Sequence, residues 1–430
     1  MSMSNIRVFK FGGASLKDAN SMRNVISILE LYRGQKIMVI VSALGKTTNR
    51  MEEVVKNIGD KNLALEKLQL VKDDHLAIVK DLGLSQNAAL LTDLNDLLVE
   101  VDWALDESTA EYDYIYDQIV GIGELLSSRI LHAAVRSTDI SMEWIDARDI
   151  IITNDIYREG WVNWDKTTDN IASKVKPLFD REDLIISQGF IGSNSENNTT
   201  TLGREGSDYS AAIFSHGLDV ESMTIWKDVP GVLTADPRKF KNVTKLDNLS
   251  YKEAIEMTYY GAKVIHPKTI KPLQNKNIPL YVKSFVNPKD AGTLVSSEVI
   301  DGYPPIIAIE SDQALINIST RDFSFVAEHH LSYLFQEIAK YRIQINMMQN
   351  SAISFSVCVN DIDDRIKEFT AQIHDSFKTN VERNLELITI RHYQKDLVDA
   401  MKNGKLIKLE ERIGDMIQLV VEDVPKLERI

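Results

Sequence analysis

The sequence holds one cysteine, Cys358, among 430 residues. A lone thiol can make neither an intrachain disulfide nor a thiolate metal cluster. It falls in the alternating run AISFSVCVN, where it reads as a buried structural thiol rather than a reactive one. No apolar stretch approaches the ~18 residues needed to span a bilayer. The start lacks the basic region and apolar run of a secretory leader, so the expected location is cytoplasmic. Positive charge is also scarce: 49 Lys and Arg against 63 Asp and Glu leave a formal charge of −14. Nucleic acid and anionic membranes require a basic face, which argues against both as partners. An anionic ligand would need its cations gathered locally. Two familiar nucleotide motifs are missing as well. Gly404-Lys405 lacks the upstream glycine and following Ser/Thr of a phosphate loop, and GIGELL lacks the third glycine of a dinucleotide fingerprint.

The composition that remains, 44% hydrophobic and 26% charged, is that of a globular protein, and the length favours two or three domains. NIRVFKF alternates as a strand, GGAS breaks it, and Met22, Val25, Ile26 and Leu29 follow at helical spacing. KIMVIVSA is an apolar, β-branched run, as in a strand buried on both faces. This predicts a βαβ unit with a parallel sheet, and the pattern returns in EDLIISQGFIG, a helix from Ser207 to His216, and SMTIWKDVPG. Residues 51–138 are leucine-rich and charged, which predicts several helices within the first domain. Glycine and proline punctuation from AGTLVSS to DGYPP marks a boundary near 298–303. Beyond it, ALINISTR, a helix with Leu331, Leu334, Phe335 and Ile338 on one face, IQINMM, AISFSVCVN and DDRIKEFTAQIHDSF spell βαββα. LELITI and QKDLVDAM begin that order again. The reading is one small α+β module over 303–384 and an abbreviated second over 385–430.

Several stretches carry candidate chemistry. KFGGAS sets Lys10 at the end of a strand whose glycine turn opens a helix. That is either an anion cradle or an ordinary strand-to-helix turn. In VSALGKTTN, Thr47, Thr48 and Asn49 are ligand donors at a strand's C-terminal edge or plain helix caps. Glu124 starts the helix of GIGELLSSRI, where it offsets the dipole unless it faces a cavity. IWKDVPGVLTADPRKF carries Asp228, Asp236 and Arg238 on a polar turn after a buried strand. In MTYYGAKVIHPKTI, Lys263 follows Gly261, while His266 has no nucleophile or metal partner nearby and reads as structural. In TTTLGREGSDYSAA, Gly203 and Gly206 flank Arg204 and Glu205, so Arg204 is expected close to main chain.

Taken in order, KFGGAS, VSALGKTTN, GELLSSRI, WIDARDIIITND, QGFIG, TTTLGREGSDYSAA, IWKDVPGVLTADPR and YYGAKVIHPKTI resemble the aspartate kinases of the amino-acid kinase superfamily. The resemblance spans about residues 6–296 and implies a three-layer αβα sandwich with a mainly parallel sheet. The tail resembles paired ferredoxin-like ACT modules. Such enzymes phosphorylate the side-chain carboxylate of L-aspartate with ATP and Mg2+. By position, the resemblance implies that Lys10 meets the transferring phosphoryl group and that Gly12, Gly13 and Ser15 shape its cradle. It assigns Thr48, Glu124, Phe190, Arg204 and Ser207 to the aspartate pocket, with Arg204 on the α-carboxylate and Glu124 on the α-ammonium. Asp228, Arg238, Lys263 and Val264 fall on the ATP side, and Asp208 orients the catalytic lysines.

The sequence departs from its relatives at Glu205, whose side chain is expected to point away, and at Lys227 and Leu233 beside the nucleotide. Lys227 is expected to add a phosphate contact. Gln349 and Asn350, between two ACT strands, are candidate contacts for a lysine or threonine inhibitor, or a polar turn. RDFSFVAEHH lacks the usual Pro-Gly start of the ACT helix. No homoserine dehydrogenase part follows, so the expectation is a monofunctional enzyme, dimeric through its ACT sheets. Alternatives are a kinase for another acidic amino acid and a non-catalytic amino-acid sensor.

Overall fold

The computed structural model describes residues 4–107, 111–261, 265–300, 302–322 and 324–423. These divide into two compact units. The first comprises 4–232, 245–255 and 265–300, and the second 233–244, 256–261 and the rest from 302 onward.

The chain begins with β1 (Ser4–Phe11), α1 (Ala19–Leu31), β2 (Lys36–Val41), α2 (Thr47–Lys56), α3 (Lys61–Asp81), α4 (Ala88–Asp106), α5 (Tyr112–Val120) and α6 (Ile122–Arg136). It continues through β3 (Glu143–Trp144), α7 (Trp164–Asn170), β4 (Leu184–Gln188), β5 (Ile191–Ser193), β6 (Thr199–Thr201), α8 (Gly206–Leu218) and β7 (Val220–Lys227). Next come β8 (Val232–Leu233), β9 (Lys245–Leu246), β10 (Asn248–Ser250), α9 (Tyr251–Tyr259), α10 (Pro267–Asn275), β11 (Leu280–Ser284) and β12 (Thr293–Ser296). An eight-stranded sheet of order β10-β12-β11-β7-β1-β2-β4-β3 runs through the first unit, parallel except where β12 meets β11.

Strand alternation sorts β1 into two faces. Phe9 and Phe11 are buried and pack with Trp226 of β7, the Phe11 and Trp226 rings lying stacked at 6.0 Å. Lys10 therefore projects from the opposite face. β2 has no polar side, and Ile37 to Val41 are wholly buried, as expected of a central parallel strand. Side chains cap the covering helices: Asp18 accepts the Ser21 N–H at 2.7 Å, Asp60 that of Leu63 and Asn87 that of Leu90. The helical stretch α2 to α6 joins the same core through Val54, Leu68, Val71, Leu94, Leu98, Val101 and Leu126. Among the described residues, no helix is long and apolar enough to cross a membrane.

The second unit holds β13 (Ile306–Thr320), α11 (Glu328–Lys340), β14 (Ile345–Asn350), β15 (Ser354–Asn360), α12 (Asp363–Ile373), β16 (Phe377–Arg391), α13 (Lys395–Lys402), β17 (Lys405–Ile413) and β18 (Met416–Asp423). Its sheet is antiparallel, in the order β14-β15-β13-β16-β18-β17. Apolar clusters form under α11 and α12, around Leu334, Ile338, Phe355 and Phe369, and under α13, around Val398, Ile388 and Ile417. Cys358 is wholly buried with Leu315 and Met347, and burial pushes its thiol up to about 12.

The two modules are not laid end to end. β13 bends between Glu310 and Gln313, with Asp312 at φ +56°. Its first half, 306–310, pairs with the last residues of β16, and its second half pairs with the first. The tail after 385 thus takes a strand from ahead of the first module, and a cut at 385 passes through β16. Two stretches expected within the catalytic part also belong to the second unit. Thr234 O accepts the Ile307 N–H at 2.8 Å, Lys239 Nζ meets Ser311 Oγ at 2.9 Å, and Glu256 meets Arg391 at 3.2 Å.

Candidate active site

Four parallel strands of the first unit end on one edge, where open α/β sheets hold their ligands. Lys10, the second-last residue of β1, is only 8% exposed, and its Nζ lies 2.5 Å from Asp208 Oδ1 in the first turn of α8. Burial would raise the Asp208 carboxyl. The charges of Lys10 and Lys227 and the hydrogen bond from Lys10 outweigh it and hold the group below its ordinary value. Lys227, at the end of β7, therefore acts on the same carboxylate as Lys10.

The turn after β1 is locked to the turn after β2. Gly45 N donates to Gly13 O at 3.0 Å, and Ser42 N to Phe11 O at 3.1 Å. A Cβ on Gly13 would sit 2.8 Å from Ala43 O and 2.9 Å from Gly45 O, so only glycine permits this approach. Ser15 closes the turn, its N–H donating to Gly12 O, and a Cβ on Gly12 would meet Lys10 Nζ at 3.4 Å. Thr48, half-buried, stands in the first turn of α2.

Glu124 in the first turn of α6 is 3% exposed, and its Oε2 has no hydrogen-bond partner. Burial pushes its carboxyl up to about 8, against the opposing charge of Lys10 and the hydrogen bond from the Ala43 N–H. A buried carboxyl oxygen without a donor is costly, and a cation brought beside it would offset that cost.

On the far side, Phe190 (φ +70°) donates its N–H to Ser210 Oγ at 2.9 Å. Ser207 is buried so tightly that a Cβ on Gly189 would lie 2.5 Å from its own Cβ. Arg204 is exposed on the turn between β6 and α8. Glu205 does not point away. Held at φ +55°, it is half-buried, with Oε2 buried and unpartnered, and its charge raises the pKa of His266 against burial. His266 caps α10, its Nδ1 accepting the Lys268 N–H at 3.2 Å, and the charges of Arg204 and Asp208 also reach it. The sequence signal for that grouping is weak, since Arg204, Glu205 and Asp208 stand in a different motif from His266.

Residues 5–284 match the amino acid kinase family. Lysine-sensitive aspartokinase 3 of Escherichia coli strain K12 is 30% identical over 363 residues, 83% of this chain and 79% of the relative. The chain belongs to the aspartokinases of the amino acid kinase family. Its fold follows that of E. coli aspartokinase III solved with aspartate and ADP in the R-state, with a TM-score of 0.84 at 26% identity, covering 97% and 96% of the two chains. The T-state structure of the same E. coli enzyme with lysine and aspartate gives 0.80 at 25%, covering 98% and 96%. The chain spans 41% of the bifunctional aspartokinase/homoserine dehydrogenase 1 of Zea mays, at 29% identity.

In this aspartokinase, Lys10, Gly12, Gly13, Ser15, Glu124, Asp208 and Lys227 gather at the strand ends of the first unit. Asp228 is exposed just beyond β7. Leu233 and Arg238 belong to the second unit, where exposed Arg238 grips Asp236 at 2.8 Å and holds that carboxyl below its ordinary value. Lys263 and Val264 lie outside the described residues. Gln349 and Asn350 do not form a turn: they are the exposed last residues of edge strand β14, paired with Ser356 and Phe355. Among the described residues, no cluster of three or more His, Cys, Asp or Glu could hold a metal ion.

Proposed function

We propose that this chain transfers the γ-phosphoryl group of ATP to the side-chain carboxylate of L-aspartate, giving 4-phospho-L-aspartate and ADP. A carboxylate oxygen forms the new bond to Pγ as the bond from Pγ to the β-bridging oxygen breaks and the electron pair leaves with ADP. The nucleophile has an unperturbed pKa of ~3.9 and needs no general base at neutral pH. The difficulty is repulsion between an anion and a polyanion, so positioning and electrostatic stabilisation carry the catalysis.

The observation that carries this reading is the buried pair of Lys10 and Asp208 beside Glu124, whose Oε2 has no hydrogen-bond partner. Lys10 meets the moving phosphoryl group, while Asp208 holds its ammonium in place and Lys227 adds a second positive charge on the same edge. A cation ~4 Å from a phosphate oxygen gains on the order of 4 kcal/mol at an effective dielectric of ~20. Glu124 receives the α-ammonium of aspartate, Arg204 grips the α-carboxylate by a two-pronged contact, and Phe190, Ser207 and Thr48 complete the wall. Bound Mg2+ would neutralise phosphate charge, with Asp228, just beyond β7, as a carboxylate that would hold it.

A coupled ADP-release assay with aspartate, glutamate and N-acetylglutamate tests the reading. Turnover should be highest with aspartate. A preference for either other acid would move the chain to a sibling kinase, and absence of turnover with retained amino-acid binding would make it a sensor. We also propose feedback by lysine acting on the second unit, supported by the lysine-sensitive relative. Lysine, threonine and methionine at millimolar levels in the same assay decide it: inhibition by threonine alone would overturn it. The unpaired edge of β14, where Met348 is half exposed, supports a homodimer formed through this sheet.

A further inference from the structure

Asp117, on α5, has no exposed surface and belongs to none of the recurring motifs. Its carboxylate accepts three hydrogen bonds from two distant stretches of chain. Oδ2 takes the backbone N–H of Thr201 at 2.8 Å and that of Arg158 at 2.9 Å, and Oδ1 takes the Thr201 hydroxyl at 2.8 Å. The Thr201 carbonyl in turn accepts the Gly160 N–H at 2.8 Å. Thr201 is thereby pinned on both sides to the stretch 158–160. Arg158 sits at φ +68°, its guanidinium 4.3 Å over the Tyr116 ring and 3.3 Å from Asp113.

The path of the chain beyond Thr201 depends on this clasp. Leu202 N donates to Phe190 O at 2.8 Å. Gly203 is left-handed, and a Cβ there would meet Arg158 O at 3.3 Å. Arg204 comes next, and a Cβ on Gly206 would lie 2.6 Å from the Phe190 ring. The glycines on either side of Arg204 are thus referenced to Arg158 and to Phe190. A fully buried carboxylate is costly to desolvate, and here burial pushes the group up to about 6 despite its three donors. An apolar residue would be cheaper for folding, so the geometry it imposes is what it contributes.

We propose that Asp117 is a positioning residue for aspartate binding, which sets the Arg204 and Phe190 wall by clasping Thr201 to the Arg158 stretch. The inference rests on the assignment of Arg204 to the substrate carboxylate. It acts on the bound amino acid and not on the nucleotide, which separates it from a general stabilising role.

The test is steady-state kinetics of Asp117→Ala, Asp117→Asn, Thr201→Val and Arg204→Ala. Removing three charge-assisted bonds in Asp117→Ala should raise KM for aspartate about tenfold or more, leaving KM for ATP within about twofold. Asparagine can accept both N–H bonds through its carbonyl oxygen and donate to the Thr201 hydroxyl, so Asp117→Asn should restore KM to within about threefold of wild type. Thr201→Val removes one bond only. It should raise KM for aspartate by several-fold, and it keeps the proposal testable if Asp117→Ala does not fold. Equal shifts in both KM values, or an unchanged KM for aspartate in Asp117→Ala or Thr201→Val, would overturn it. If Arg204→Ala raises KM for aspartate while the Asp117 variants do not, the substrate assignment stands and this inference falls. If Arg204→Ala leaves that KM unchanged, the assignment itself is wrong.

Discussion

Lys10 and Asp208, 198 positions apart in the chain, meet as a buried ion pair at 2.5 Å where β1 ends and α8 begins. The carboxylate holds the lysine's ammonium aimed at the strand-end edge. Binding a phosphoryl group beside that lysine costs little reorganisation, because its ammonium is already held in position.

Replacing Lys10 by alanine should therefore lower kcat by about 100-fold or more, since electrostatic stabilisation of transferred charge is worth a few kcal/mol. It also leaves Asp208 buried with less compensation, so unfolding free energy should fall by about 3 kcal/mol in urea titration. Normal turnover in this variant would refute the catalytic role of Lys10.

With Glu124 as the proposed receptor of the α-ammonium, substrate binding should be proton-linked. Burial pushes the Glu124 carboxyl up to about 8, so the group should hold its proton at pH 7 until an arriving α-ammonium ionises it. Aspartate binding at pH 7 should release close to one proton, read by calorimetry in buffers of different ionisation enthalpy. Glu124→Gln should abolish the release and weaken binding. The same shift makes a stability statement. Between the unfolded value of ~4.3 and about 8 the folded state holds the extra proton, so stability falls as pH rises through that window. Glu124→Gln should melt above wild type at pH 8 and converge with it toward pH 5.

Gly13→Ala should separate the two strand-end turns, since the added Cβ would come 2.8 Å from Ala43 O and no flexible side chain can yield there. A cost of about 1–3 kcal/mol in stability and a fall in kcat/KM for ATP are expected. Unchanged values for both would show that the turns need not stay in contact.

Cys358 should be inert. With its thiol buried and pushed up to about 12, it should fail to react with a disulfide reagent in the native protein and titrate as one thiol in urea. Rapid native labelling would contradict its place in the second unit's core.

Much of the fold is readable along the chain because it depends on neighbours in sequence. Alternation in β1 separates Phe9 and Phe11 from Lys10, and the apolar run in β2 marks a central strand. The tightness of KFGGAS and VSALGKTTN is a property of their own glycines and strand ends. Glu205 departs from its expected orientation for the converse reason: its positive φ, set by the fold around it, turns inward a side chain expected to point away. Asp117 carries no sequence signal at all, since its partners lie 41 and 84 residues away.

By itself the sequence determined the βαβ start of the first unit, the βαββα order of the first module, the order of the motifs, and the supply of cations in an acidic chain. Those depend on periodicity, turn chemistry and composition, which are local. Only the tertiary structure decided that 306–310 completes the module after 385, and that 233–244 and 256–261 belong with that unit. It alone decided that Glu124 is buried with one carboxyl oxygen, Oε2, left without a partner. Strand exchange and desolvation depend on what packs from elsewhere in the chain, and hydrophobic pattern is silent about which distant surface does the covering.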